Sequence, residues 1–287
     1  MDFHRASVVY GMFPLSMMFA VLWLSGVKIR RRYRKERRPF SDKILRSPGY
    51  SLQSQIQQLN DKYQDWVAIL FFGPMLITAT LLALNPKSIT WWPLGIVDAV
   101  IFGLCFWRLT FWHKKLCAHR LGFSGERLVA TYLDELRDDG YKVFHDYPLE
   151  RSNVDHVVVG PTGVFAIETK TRTKRSGPNG DSDYKVAFDG QQLVFPKWKD
   201  GDSPEQAKRQ AEMLSDALHR RLGHRIDVAP VLAVPGWYVT EKVKTNLRVL
   251  NPKLIPAMIR SAEDSLSKDE IRNISNLLDE KCRDMEV

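Results

Sequence analysis

Three long apolar runs crowd the first 112 residues, and they constrain this chain more than any other feature. Val8–Val27 is twenty residues without a charge, Trp66–Leu84 is nineteen, and Trp91–Trp107 is seventeen with Asp98 as its one charge. About twenty apolar residues are what a helix needs to cross the hydrocarbon core of a bilayer. The basic cluster Arg30-Arg31-Arg32-Tyr33-Arg34-Lys35 follows the first run, the reverse of a secretory signal. Asn85–Thr90 is only long enough to turn a helical hairpin. Trp66, Trp91, Trp92, Trp107 and Trp112 flank the second and third runs, as interfacial anchors do. Three transmembrane helices are expected, with a buried soluble hairpin as the competing reading of the last two.

Charge gives them a direction. Lys28–Arg46 holds ten Lys/Arg against Glu36 and Asp42, or +8, whereas residues 113–287 hold 28 basic and 27 acidic residues. The positive-inside rule puts the N-terminus outside and residues 28–65 and the C-terminal half in the cytoplasm, at the inner membrane of a cell. The basic stretch then lies against anionic lipid headgroups. The expected organisation is a transmembrane helix over 1–27, a basic cytoplasmic segment over 28–65, a transmembrane hairpin over 66–112, and an α/β domain over 113–287. Asp98 is costly in hydrocarbon, and either a functional role or a packing or oligomer contact accounts for it. Cys105, Cys117 and Cys282 are far apart, which leaves out a zinc ribbon and gives no support to a disulfide framework.

The C-terminal half alternates helix and strand signals. Ser124 looks like an N-cap and Gly140 a C-cap of a helix over about 125–139, with Leu128, Val129, Tyr132, Leu133 and Leu136 as its buried stripe. Tyr141–Tyr147 reads as a strand. Val154–Val159 and Val164–Lys170 are β-branched runs around the turn Gly160-Pro161-Thr162-Gly163. If Val159 pairs with Val164, Asp155 lies opposite Glu168, on one face with Lys170. Like charges directly opposed destabilise a sheet, so the two carboxylates need a reason. A divalent cation supplies one, since hard oxygens suit magnesium or manganese. A wet polar edge, with Lys170 pairing Glu168, is the other.

The residues Gly125-Glu126, then Asn153-Val154-Asp155-His156-Val157-Val158-Val159-Gly160-Pro161-Thr162-Gly163-Val164-Phe165-Ala166-Ile167-Glu168-Thr169-Lys170-Thr171, and Ser203-Pro204-Glu205-Gln206 resemble the nuclease-related domain, a family of the PD-(D/E)xK nuclease superfamily. The resemblance covers about residues 120–260. It implies a restriction-endonuclease-like fold, a mixed β-sheet flanked by helices, that hydrolyses nucleic-acid phosphodiesters with Mg²⁺, or Mn²⁺ in its place. Carried over, Asp155 and Glu168 hold the metal with the Thr169 carbonyl as a third ligand. Lys170 activates or positions the water, Glu126 supports the metal or a water, and Gln206 positions the site. Arg172, Lys174 and Arg175 extend the Lys170 strand toward phosphates, unless they form only a solvated basic loop. By alternation His156 points away from Asp155, toward packing.

Asp189-Gly190 between Tyr184–Phe188 and Gln191–Phe195 signals a further hairpin. Asp227–Pro235 and Leu247–Leu250 read as closing strands, and Lys268–Arg283 as a terminal helix. No Walker-type loop is present, so no nucleotide cofactor is expected. The reading is an Mg²⁺-dependent nuclease anchored in the membrane, with DNA as the favoured partner. A membrane-complex partner or a second copy of the chain is a further expectation. The alternative is a non-cleaving nucleic-acid- or protein-binding scaffold, favoured by the near-neutral charge of residues 113–287.

Overall fold

A computed structural model of the chain describes residues 43–84, 91–150, 152–174 and 184–284. The expected first span, Val8–Val27, and the hairpin tip 85–90 lie outside the described residues, as does the side chain of Asp98. The described residues divide into two compact units, one within residues 56–117 and one of residues 43–55 with the described part of 118–284.

The first unit is built on two helices, α1 (Tyr50–Leu84) and α2 (Trp91–Asp134), each of which continues into the second unit. Both outrun the apolar stretches expected to bound them. No proline interrupts residues 50–65 or 108–134, so the helix propagates through good formers such as Gln, Leu, Lys and Arg. Among the described residues, no helix is long and apolar enough to cross a membrane. The α2 stretch around Ile96, Val100, Phe102, Leu104, Phe106 and Trp107 nevertheless leaves its large apolar side chains exposed.

The continuity of α2 corrects one expectation. Ser124 is not an N-cap: its hydroxyl donates to the Arg120 carbonyl at 2.9 Å, a bond back along the same helix. Glu126 therefore sits deep in α2 rather than in a first turn. Gly140 does close the helical segment, with φ 85° after a 3₁₀ turn over Glu135–Asp139.

The second unit carries a five-stranded mixed sheet. Its strands are β2 (Lys142–Pro148), β3 (Asn153–Gly160), β4 (Gly163–Thr169), β8 (Val228–Ala233) and β10 (Arg248–Leu250), in the order β10-β8-β4-β3-β2. β2, β3 and β4 are antiparallel neighbours, and β8 and β10 run parallel to β4. A second sheet orders as β7-β6-β5-β9, from β5 (Lys185–Phe188), β6 (Leu193–Val194), β7 (Lys199–Asp200) and β9 (Tyr238–Glu241). Helices α3 (Asp202–Leu222), α4 (Ile255–Arg260) and α5 (Lys268–Lys281) complete the unit. The short strands β1 (Ile44–Leu45) and β11 (Arg283–Asp284) pair with one another.

Strand alternation sorts the core into two layers. Val157, Val159, Val164 and Ala166 pack on Ala211, Leu214 and Leu218 of α3. Val158, Phe165 and Ile167 pack on the other side, with Val129, Leu133 and Leu136. Val129, Leu133 and Leu136 are three of the five residues of the expected stripe on the 125–139 segment, whereas Leu128 is 43% exposed and Tyr132 half-buried. Burying a side chain of this size contributes about 1.5–3 kcal/mol, so these two layers fix which face of the hairpin each carboxylate meets.

Candidate active site

The β3–β4 hairpin has the register its sequence implies. Val159 pairs with Val164 and Gly160 with Gly163, the last at φ 127° where only glycine is comfortable. Continued along the ladder, that register sets Asp155 opposite Glu168. On the other side of β3, His145 pairs with His156 and Tyr147 with Val154, so Asp146 falls opposite Asp155. The register thus brings acids of three adjacent strands to one level of the sheet, although strand alternation breaks at Asp146, which has φ 54°.

Side chains from α3 finish the site. Gln206 donates from Nε2 to Glu168 Oε1 at 2.7 Å, and its Oε1 lies 3.4 Å from Lys170 Nζ. One amide therefore spans the acid and the base of the Glu-x-Lys pair. Gln210, one turn on, donates to the Asn153 carbonyl at 2.7 Å and steadies the start of β3. Asp155 Oδ2 accepts the Thr169 backbone N–H at 2.8 Å, so the two strands are tied at the level of the carboxylates. Lys170 is held through its own backbone, which donates to the Ala233 carbonyl at 2.9 Å.

Glu126 arrives from the opposite layer on α2, because Gly125 lets the helix come hard against the end of β4. A methyl group there would lie on the Thr171 hydroxyl and within 3.0 Å of Thr171 Cβ.

The electrostatics are those of crowded, dehydrated acids. Burial pushes Glu126 up to about 8, with Asp146 and Glu168 adding to it. Burial pushes Glu168 up to about 7, against the pull of the Lys170 charge. Asp155 is raised well above the usual carboxylate range, first by burial and then by Glu168 and Glu126, against the Thr169 N–H. Glu168 Oε2 is buried with no hydrogen-bond partner. An orphaned carboxylate oxygen among mutually repelling acids is what a bound cation would satisfy.

Among the described residues, no group of three His, Cys, Asp or Glu side chains is close enough to hold a metal by itself. Two carboxylates, a backbone oxygen and water fit Mg²⁺, which keeps several of its waters in protein sites. Asp155 and Glu168 are the two carboxylates that fit that set.

The expected phosphate contacts are only partly together. Arg172 is bound in place: its Nη2 pairs with Asp200 at 2.7 Å and its guanidinium lies over Trp198. Lys174 lies over Trp237, whose Nε1 donates to the Arg172 carbonyl. Phe195 stacks on Trp198 and meets Trp237 edge-on. Arg175 lies outside the described residues. His156 is on the far face, as alternation requires, with its Nδ1 2.9 Å from that of His145. The sequence reading missed Asp146, Gln210 and Trp237. A charged residue inside the apolar run Tyr141–Tyr147 was the available signal for Asp146.

Comparison with known proteins agrees with this geometry. The sequence profile described as "Nuclease-related domain" matches residues 121–235, a stretch that holds Glu126, Asp155, Glu168, Lys170 and Gln206. An uncharacterized protein of Bacillus anthracis is 36% identical over 62 residues, which cover 20% of this chain and 29% of that protein. The chain thus matches less than a third of its relative's length. No solved structure matches the chain.

Proposed function

We propose that this nuclease-related domain is a metal-dependent nuclease that hydrolyses phosphodiester bonds, with DNA as the favoured substrate. The observation that carries it is the Gln206 amide spanning Glu168 and Lys170 beside a carboxylate oxygen that has no partner. Asp155 and Glu168 hold Mg²⁺ or Mn²⁺, with the Thr169 carbonyl beside them. When bound, the cation polarises the phosphoryl oxygens and acidifies water. Lys170 Nζ orients the attacking water and offsets charge at the phosphate. Gln206 holds Lys170 and Glu168 at one spacing, and Glu126 accepts or returns a proton at the rim. Arg172, Lys174 and Arg175 follow the strand outward, where cations over tryptophans suit a phosphate backbone and an unstacked base.

The location proposed is the cytoplasmic face of the inner membrane. The charge-free run Val8–Val27, the +8 stretch Lys28–Arg46 and the exposed apolar side chains of α2 support contact with an anionic bilayer. A second reading, a non-cleaving scaffold, is favoured by one observation: Arg172 is already paired with Asp200.

The test is cleavage by the full-length protein in lipid, with Mg²⁺ or Mn²⁺, on linear, circular and single-stranded DNA and on RNA. Metal-dependent cutting that is lost in Lys170→Ala and in Asp155→Ala is the expected result. A folded protein that cuts nothing and binds no Mn²⁺ in a manner sensitive to Asp155→Ala is the scaffold instead.

A further inference from the structure

Asp146 has no part in the carried-over site, yet it is among the most constrained residues of the domain. It is 1% exposed and has φ 54°, the one non-glycine residue with positive φ among the described residues. Its Oδ2 accepts the Ser51 backbone N–H at 2.8 Å, and Asn153 Nδ2 donates to its Oδ1 and, at 3.0 Å, to the Ser51 hydroxyl. Arg46 Nη1 donates to its carbonyl at 2.8 Å. Ser51 opens α1, whose first turn has no acidic residue of its own. The Asp146 carboxylate is therefore the cap of that helix, supplied by a strand about a hundred residues away.

The same segment touches the site a second time. Gly49, at φ 75°, packs so closely on the Phe123 ring that a Cβ would clash with it, and that Cβ would stand 3.5 Å from Glu126 Oε2. Residues 46–51 thus clasp both Asp146 and Glu126, the two acids that flank Asp155 and Glu168.

We propose that Asp146 is a positioning residue through which the 46–51 clasp, at the end of the basic stretch Lys28–Arg46, sets the charge and geometry of the cation site. Asp146 stands opposite Asp155 in the register of β2 and β3, so its charge adds to the field that draws a cation in. The α1 N-terminus and Asn153 hold it at that level, and its unusual backbone angle persists because they do. This inference rests on the cation site proposed above.

Asparagine separates the roles. Asp146→Asn keeps a cap acceptor for Ser51, tolerates positive φ, and removes only the charge, with Asn153 free to flip its amide. Mn²⁺ affinity of the full-length protein, measured by titration calorimetry and by the electron paramagnetic resonance of bound Mn²⁺, is expected to fall about tenfold, the scale for residues behind the ligands of a metal site. Thermal melting should be nearly unchanged. Asp146→Gly, which adopts φ 54° freely, serves as the second variant and should weaken Mn²⁺ at least as much. Wild-type affinity in a folded Asp146→Asn overturns the inference and leaves Asp146 a helix cap. Failure of both variants to fold overturns it in the same direction. Wild-type protein that binds no Mn²⁺ defeats the cation site itself, a different result.

Discussion

Gly125→Ala is the sharpest probe of how the site is assembled. A methyl group added at Gly125 would lie on the Thr171 hydroxyl, 3.0 Å from Thr171 Cβ and 3.3 Å from Cγ2. Rotating Thr171 moves the hydroxyl and Cγ2 but leaves Cβ where it is, so α2 and the end of β4 must part. Carbon atoms rest at about 3.5–4.0 Å, which makes the required shift about 0.5–1 Å. Overpacking on this scale costs roughly 1–3 kcal/mol, while alanine in place of a helical glycine returns about 1 kcal/mol. The net loss of stability is therefore about 0–2 kcal/mol.

Activity suffers more, because Glu126 rides on the helix and Lys170 on the strand that separate. A misplacement near 1 Å costs on the order of 100-fold in rate. The assay is a double-mutant cycle with Thr171→Gly, read by urea denaturation and by metal-dependent cleavage. Gly125→Ala should remain folded and cleave roughly 100-fold more slowly, and adding Thr171→Gly should recover most of the rate. A Gly125→Ala protein that melts and cleaves like wild type refutes the close-approach argument, and so does a double variant as slow as the single one.

Two further predictions concern pH. Glu126 and Glu168, raised from 4.5 to about 8 and about 7, bind more protons folded than unfolded, so metal-free stability should fall as pH rises from about 5 through 8. Saturating Mn²⁺ should raise the melting temperature increasingly over that window in wild type and not in Asp155→Ala, and a gain that is flat with pH would count against ionised carboxylates as ligands. The buried His145–His156 pair works in the opposite sense. Burial, and then Arg137, lowers His145 from 6.5 to about 4, and burial lowers His156 too, so this contribution is lost as pH falls from 6.5 toward 4. Replacing both with Phe should remove that acid-side loss in urea denaturation at pH 4.5 against pH 7, and an unchanged loss would show that other groups cause it.

Much of the domain was legible because β-structure with buried faces encodes its own register. The turn Gly160–Gly163 and the period of two were enough to set Asp155 against Glu168, since a slip of one residue would turn every valine of β3 to the wrong layer. Three of the five expected stripe residues, Val129, Leu133 and Leu136, named the face that α2 buries for the same reason, while Leu128 falls on its exposed side. The Pro-x-Gln at the start of α3 gave Gln206 by resemblance, and the structure supplies its two partners.

What the sequence could not carry was the effect of parts distant along the chain. Ser124 has every local mark of an N-cap, but a cap forms only where a helix begins, and α2 begins at Trp91. Asp146 reads locally as one charge in a strand. Its role appears only once Ser51 and Arg46, about a hundred residues earlier, are folded against it. The boundary drawn at residue 113 likewise leaves out 43–55, because nothing in that short polar stretch announces that it packs with the domain. Periodicity and turn chemistry are properties of neighbours in sequence, and they determined the hairpin, its faces and the spacing of the Glu-x-Lys pair. Burial and the pairing of buried charges are properties of neighbours in space, and they alone decided which acids share a site and what holds them there.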